Sequence, residues 1–231
     1  MKTYQHLFFD LDHTLWDFET NSRAALALLY EQHRLLEQGV GSLGDFQRVF
    51  ARINEQKWED YRRGLLSQEA LRFSRFAETL AHFGAGSIPL AEALDRDYVA
   101  TAPGLGAVMP HAHEVLNYLQ GKYRLHIITN GFAAVQTIKL TTAGLAPFFE
   151  TVITSEAAGA HKPNPRIFVY ALQQAGARRK DSLMIGDRAD VDVAGAKRCG
   201  IDQVHFSPQP QSSKWVPTYA IRSLRELMDW L

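Results

Sequence analysis

The 231-residue chain has one cysteine, Cys199. A single thiol excludes an internal disulfide and a multi-cysteine zinc site, and it suits a reducing, cytoplasmic compartment. An excess of either charge is also missing: 25 Lys+Arg oppose 25 Asp+Glu, a formal net charge of zero. Without net positive charge there is no long-range pull toward a nucleic-acid polymer, so none is expected as a partner. No apolar run approaches the roughly eighteen residues of a membrane span, so no membrane association is expected. Residues 7–9 are apolar, but Asp10 interrupts them far too early for the hydrophobic region of a signal peptide. Core-forming material is plentiful, with 46% hydrophobic and 22% charged residues. That balance belongs to a globular protein. At about 150 residues per domain, the length fits one large domain or a core carrying a smaller insertion.

Five short, β-prone apolar runs stand out at 4–9, 123–129, 151–154, 182–185 and 203–206, with a sixth at 218–221. Most are continuously apolar, as expected of strands buried on both faces. Helical stretches such as 132–143 and 166–175 lie between them. The alternation predicts an α/β fold with a Rossmann-like, doubly wound parallel sheet. Ser223-Leu-Arg-Glu226 is a capping-box start for a last helix. Strand runs are missing from about 18 to 102. There Phe46, Val49, Phe50 and Ile53 recur at i, i+3, i+4, i+7, and Phe73, Phe76, Leu80 and Phe83 share a helix face. These aromatics read as core. Glycines at 39, 41, 44, 64, 84 and 86 divide the block into about four helices. So long a block exceeds a simple crossover. The expected organisation is therefore a catalytic core of 1–16 plus 103–231 and a helical cap domain of 17–102. Ligands of open α/β sheets bind at the carboxyl ends of strands, so an insertion there would act as a lid.

The chemistry-bearing residues fall where strands end. Asp10-Leu-Asp12-His-Thr14 follows the first run. Residues i and i+2 of a strand face one side, so both carboxylates would meet at the sheet's carboxyl edge. Such a pair can bind a metal, act as nucleophile with an acid/base, or bind calcium in a helix-loop-helix. The calcium loop is excluded, because Leu15 stands where it needs Gly and Asn21 where it needs Glu. A turn or cap role stays open for an isolated Asp-x-Asp. Thr129-Asn130-Gly131 closes the second run and makes either a phosphate cradle or an ordinary turn. Lys162 sits in His161-Lys-Pro-Asn-Pro165, where prolines flanking Asn164 would hold a cation in place; a solvated loop lysine is the alternative. Gly186-Asp187-Arg-Ala-Asp190-Val-Asp192 ends the fourth run. Three more carboxylates near the first pair would repel unless a cation neutralised them, and hard oxygen ligands select Mg²⁺. Asp190 could instead cap the following helix.

In this order, each at a strand end, the four motifs resemble the haloacid dehalogenase superfamily of aspartate-nucleophile hydrolases. The resemblance spans the whole chain, and the helical insertion looks like that superfamily's C1-type cap. Asp12-His-Thr-Leu-Trp-Asp-Phe-Glu-Thr-Asn-Ser22 and Ile128-Thr-Asn-Gly-Phe132, followed by Val135-Gln136 and Lys139-Leu140, resemble the branch of 5′-nucleotidases acting on noncanonical pyrimidine nucleotides. Two positions depart from the wider pattern: His13 stands where Gly is common, and Arg188 where Ser or Thr is.

The resemblance implies that Asp10 attacks phosphorus in line and becomes an aspartyl phosphate. Asp12 would protonate the leaving oxygen and then deprotonate the hydrolytic water. Mg²⁺ would be held by Asp10, Asp187 and the backbone carbonyl of Asp12. Thr129 with the N–H groups of Asn130 and Gly131 would hold the phosphate oxygens, Lys162 would balance charge on phosphate and Asp10, and Asp192 would position Lys162 and metal-bound water. The implied substrate is a small phosphate ester, foremost a nucleoside 5′-monophosphate of deoxyuridine or thymidine type. Trp16 and Phe18 are candidates for stacking on its base or, alternatively, for anchoring the lid.

Other chemistries fit less well. A dehalogenase needs no metal and lacks the second Asp of the first motif, whereas Asp12 and Asp187 are both here. A sugar-phosphate phosphatase or phosphomutase shares the catalytic residues. A phospho-accepting receiver domain uses Asp, Thr, Lys and Mg²⁺, but has no helical lid and no acid/base beside its nucleophile. The oligomeric state is not legible. Arg62, Arg63, Arg72 and Arg75 read as solvated helix faces, Cys199 as a small buried residue, His111 and His113 as structural, Gly104-Leu-Gly106 as a turn, and 207–217 as a loop.

Overall fold

A computed structural model describes residues 3–209 and 213–231. Among these residues the chain begins with β1 (His6–Phe9), α1 (Phe18–Gln32), α2 (Leu43–Arg62), α3 (Gln68–His82), α4 (Ile88–Thr101) and α5 (Ala112–Leu119). It continues through β2 (Arg124–Thr129), α6 (Ala133–Thr142), β3 (Thr151–Thr154), α7 (Ser155–Ala158) and α8 (Pro165–Ala175). Last come β4 (Ser182–Gly186), α9 (Ala194–Arg198), β5 (Asp202–Phe206) and β6 (Tyr219–Ile221).

The strands form one parallel sheet in the order β3-β2-β1-β4-β5-β6. Successive strand residues point to opposite faces. Leu7 and Phe9 accordingly join Leu125, Ile127, Leu183 and Ile185 against α5 and α6, whereas Phe8 joins Ile128, Ile153 and Met184 against Ile167 and Phe168 of α8. Helices on both faces explain why the strands are apolar without interruption. From β1 the chain builds outward through β2 and β3, then returns to β4 on the other side and builds through β5 and β6. The carboxyl ends of β1 and β4 thus flank the switch point, where open α/β sheets leave a crevice for ligands.

Two compact units emerge: Met1–Phe18 with Gly106–Leu231, and Glu19–Leu105. The second holds α2, α3, α4 and most of α1 around its own core of Leu26, Phe46, Phe50, Phe76, Leu80, Leu94 and Tyr98. Three of its helices start on serines: Ser42, Ser67 and Ser87 accept the backbone N–H of Asp45, Ala70 and Leu90.

Several expectations need correction. Arg75 is not on a solvated face but buried, with its guanidinium 4.9 Å from the Tyr98 ring centroid and 3.1 Å from Asp95 Oδ1. A paired, ring-covered cation is tolerated where a bare one is not. Cys199 is half-buried, its Sγ 3.6 Å from the Pro165 carbonyl. The Ser223–Glu226 capping box forms, but the segment it opens, Leu224–Asp229, is a tight 3₁₀ helix. Of the loop expected over 207–217, residues 210–212 lie outside the described residues. Among those described, no helix is long and apolar enough to cross a membrane.

Candidate active site

Asp10 follows β1 directly, and its N–H donates to the Ile185 carbonyl of β4, which ties it to the switch point. The chain then folds back on Leu11, whose carbonyl accepts from the N–H of Thr14, Leu15 and Trp16. His13 takes the left-handed conformation this turn needs, at φ 65°. That conformation is costly for any residue with a Cβ, which accounts for glycine being common there. The turn brings the Thr14 hydroxyl to 3.4 Å from Asp10 Oδ2 and 3.3 Å from Asp187 Oδ1.

Asp10, Asp187 and Asp192 each present a carboxylate oxygen, all within 4.8 Å of one another. Burial, together with the nearby Asp192 charge, outweighs the Lys162 ammonium and pushes the Asp10 carboxyl up to about 7. Asp187 is driven well above the ordinary carboxylate range by burial and then by Asp10 and Asp192. Crowded, buried carboxyls of this kind fit a divalent cation, since all the donors are hard oxygens and a 2+ charge offsets both causes. Asp192 has less freedom to be a ligand. Its Oδ1 accepts from Lys162 Nζ at 2.7 Å and its Oδ2 from the Arg188 N–H at 3.0 Å. What position 188 supplies is a backbone donor; the Arg188 side chain turns to Asp190 at 3.1 Å. Asp190 therefore pairs with a cation here.

Lys162 is almost fully buried and spends its three N–H bonds on Asp10 Oδ1 at 2.5 Å, Asp192 Oδ1 and the Ile128 carbonyl at 2.7 Å. The two carboxylates outweigh burial and raise its pKa. Asn130 fixes its backbone from both sides, accepting from the Lys162 N–H at 2.7 Å and donating to its carbonyl at 3.0 Å. Lys162 is thus no solvated loop residue. Direct contact with a phosphate oxygen would require it to share a donor. The Gly131 N–H donates to Thr129 Oγ1 at 3.0 Å.

Asp12 leans the other way, toward α6. Lys139 Nζ lies 2.5 Å from its Oδ1 and Gln136 Nε2 donates to its Oδ2 at 2.9 Å. Burial opposes the Asp12 charge, but Lys139 and Gln136 prevail and hold its pKa below the ordinary value. Neither residue is assigned a role by the sequence motifs, although both lie on the buried face of α6 with Leu140. The available signal was their place in the Val135-Gln136 and Lys139-Leu140 stretch that resembles the nucleotidase branch, three residues apart on one helix. Trp16 is buried in the sheet core, and its ring centroid lies 4.2 Å from Lys139 Nζ. Phe18 is only half-buried and lies 4.8 Å from the His13 ring.

The model of the haloacid dehalogenase-like hydrolase family matches residues 4–200. The chain belongs to this hydrolase family. Within the family it is 33% identical over 99% of its length to the pyrimidine 5′-nucleotidase PynA of Streptococcus pneumoniae, covering 95% of that protein. It is 31% identical over 97% of its length to the pyrimidine 5′-nucleotidase YjjG of Escherichia coli, covering 96%. A crystal structure of the HAD-hydrolase YfnB from Bacillus subtilis, bound to magnesium, superposes with a TM-score of 0.90 at 28% identity, covering 99% of this chain and 98% of that one.

Proposed function

We propose that this family member hydrolyses phosphomonoesters through an aspartyl phosphate on Asp10, with pyrimidine nucleoside 5′-monophosphates as substrates. The observation that carries the reading is the setting of Asp10: a buried carboxylate at the switch point, bonded to Lys162 and within 4.8 Å of two further carboxylates. A carboxylate so oriented is a fit nucleophile for an incoming phosphorus. In the first step an Asp10 oxygen bonds to phosphorus as the ester P–O bond breaks, and Asp12 gives its proton to the departing alkoxide. In the second, Asp12 takes a proton from water as that oxygen attacks phosphorus, and the Asp10–phosphorus bond breaks to release inorganic phosphate. Asp12 rests as the carboxylate suited to the second step; an arriving phosphate, by like-charge repulsion, favours the protonated form that the first requires.

Mg²⁺ is the cation proposed for Asp10, Asp187 and the Asp12 carbonyl, where it would offset repulsion between the nucleophile and an anionic substrate. Thr129 and the adjoining backbone would receive the phosphate oxygens, while Lys162, held by Asp192, balances the charge of Asp10. The pyrimidine assignment is supported by similarity to PynA and YjjG over nearly the whole chain. Phe18, more open than Trp16, is the better candidate for meeting the base. One cysteine supports a reducing, cytoplasmic setting.

Phosphate release from deoxyuridine and thymidine monophosphates should require Mg²⁺ and stop on chelation. Asp10→Asn should lower kcat by at least ~10³-fold. Retained turnover in that variant, or a single stable phosphate per chain, would defeat the mechanism. Rapid hydrolysis of sugar phosphates beside inert nucleotides would defeat the substrate class.

A further inference from the structure

We propose that Lys139 and Gln136 are positioning residues that clamp Asp12 and couple its placement to that of the Thr129 hydroxyl. The proposal rests on the phosphatase reading of the site, in which Asp12 exchanges protons with the leaving group and with water.

Three observations support it. First, residues 136 and 139 stand one turn apart on α6, so their side chains emerge from one face and reach one target. Both are buried, Gln136 at 1% and Lys139 at 6% exposure. A buried ammonium needs a partner of opposite charge, and Lys139 has Asp12 Oδ1 at 2.5 Å beneath the Trp16 and Phe18 rings. The aromatic cover removes competing water and leaves this ammonium little alternative to Asp12.

Second, Gln136 uses both hydrogens of its amide, one on Asp12 Oδ2 at 2.9 Å and one on Thr129 Oγ1 at 3.1 Å. Thr129 Oγ1 also accepts from the Gly131 N–H. With two donors already directed at that oxygen, its own proton is left for another acceptor, the role a phosphate cradle needs. One amide therefore fixes the acid/base and orients the cradle hydroxyl together.

Third, the glycine of the second motif makes room for this amide. A Cβ on Gly131 would lie 1.5 Å from Gln136 Nε2 and 2.5 Å from its Cδ. Any side chain at 131 would expel Gln136 from between Asp12 and Thr129.

The test is a double-mutant cycle with two esters. Lys139→Met keeps the unbranched stem and removes the charge; it is made alone and on an Asp12→Asn background. A nucleoside 5′-monophosphate has an alkoxide leaving group that needs the Asp12 proton, whereas p-nitrophenolate departs without it. The esters are therefore compared in a single turnover, by release of the first product, because the second step uses Asp12 as base with either ester. Lys139→Met should slow release of the nucleoside in that turnover by about 10²-fold, the scale of a misplaced catalytic group. Substrate affinity should barely move, and release of p-nitrophenolate should slow by less than about tenfold. Combined with Asp12→Asn it should cost nothing further. Gln136→Leu should show the same ester dependence, and Lys139→Arg should recover part of the nucleotide activity. Equal slowing of first-product release from both esters, or losses that multiply with Asp12→Asn, would overturn the clamp. Should Lys139→Met fail to fold, Gln136→Leu decides by the same criteria. If the wild type hydrolyses both esters and the variants lack this pattern, the clamp alone falls. If it hydrolyses neither, the phosphatase reading and the clamp fall together.

Discussion

Gly186 shows how tightly single residues are specified at the end of β4. A Cβ there would lie 2.4 Å from Asp192 Cγ and Oδ2. Asp192 is itself an acceptor for Lys162, which in turn bonds Asp10. Gly186→Ala should therefore push Asp192 aside, loosen Lys162 and lower kcat by roughly 10-fold or more, because small misplacements of catalytic groups are expensive. Phosphate release against wild type, with unfolding midpoints compared in parallel, checks this; unchanged turnover would show that Lys162 does not depend on Asp192. Much of this chemistry was legible in the sequence, because Asp10, Thr129 and Asp187 each follow or close an apolar run whose strand ends share one edge, and Lys162 stands in a proline-bearing loop between the third run and a helix. Lys139 and Gln136 were harder to see. They sit 127 and 124 residues from Asp12, and only a folded helix brings that separation to a hydrogen bond.

Among the elements, the helical unit carries polarity that periodicity alone misreads. Arg75 stands one residue before Phe76 on α3, so a pattern reading assigns it to the outer face, yet it is buried. Its Nη2 bonds Asp95 of α4 at 3.1 Å, its Nη1 reaches Asn54 of α2 at 3.4 Å, and its Nε is buried without a hydrogen-bond partner. Arg72 also pairs with Asp95 at 2.9 Å. Asp95→Ala should thus leave a buried guanidinium uncompensated and destabilise the protein by about 3 kcal/mol. The double replacement Arg75→Met with Asp95→Leu should cost much less, since a buried ion pair is often matched by well-packed apolar side chains. Urea midpoints of the two variants decide it, and equal losses would mean that packing rather than charge dominates. The four helices themselves follow from the sequence, because glycines interrupt the block and a serine starts three of them. The partner of a buried arginine does not follow, because it lies on another helix.

At the scale of the whole molecule, the parallel sheet was readable from its continuous apolar strands, but a polar seam through it was not. His6 Nδ1 lies 3.1 Å from His126 Nε2, and His126 Nδ1 lies 2.9 Å from Thr151 Oγ1, so one chain of hydrogen bonds crosses β1, β2 and β3. Phe8 stacks on His126 at 4.8 Å. Burial, and then the neighbouring His6, lowers the His126 pKa to about 4. His6 is lowered by burial and then by Arg124, with Glu150 and Asp181 acting weakly the other way. The His126 ring is thus neutral in the folded protein near pH 6, and His6 is shifted in the same direction, whereas an unfolded chain protonates both near the ordinary 6.5. The stability that neutral His126 contributes is complete above about pH 6.5 and is lost as pH falls toward 4, because the unfolded state then binds more protons. Asp10 and Asp187, with raised values, act in the opposite direction over the same range. The informative quantity is therefore the difference between wild type and His126→Gln, in which those carboxyls cancel. Between pH 7 and 5, wild type should lose roughly 1–2 kcal/mol more unfolding free energy than the variant. Urea titrations at the two pH values measure it directly. Parallel losses would mean that the seam is protonated in the folded state, and that its polarity is carried by Thr151 and the surrounding charges rather than by neutral imidazoles.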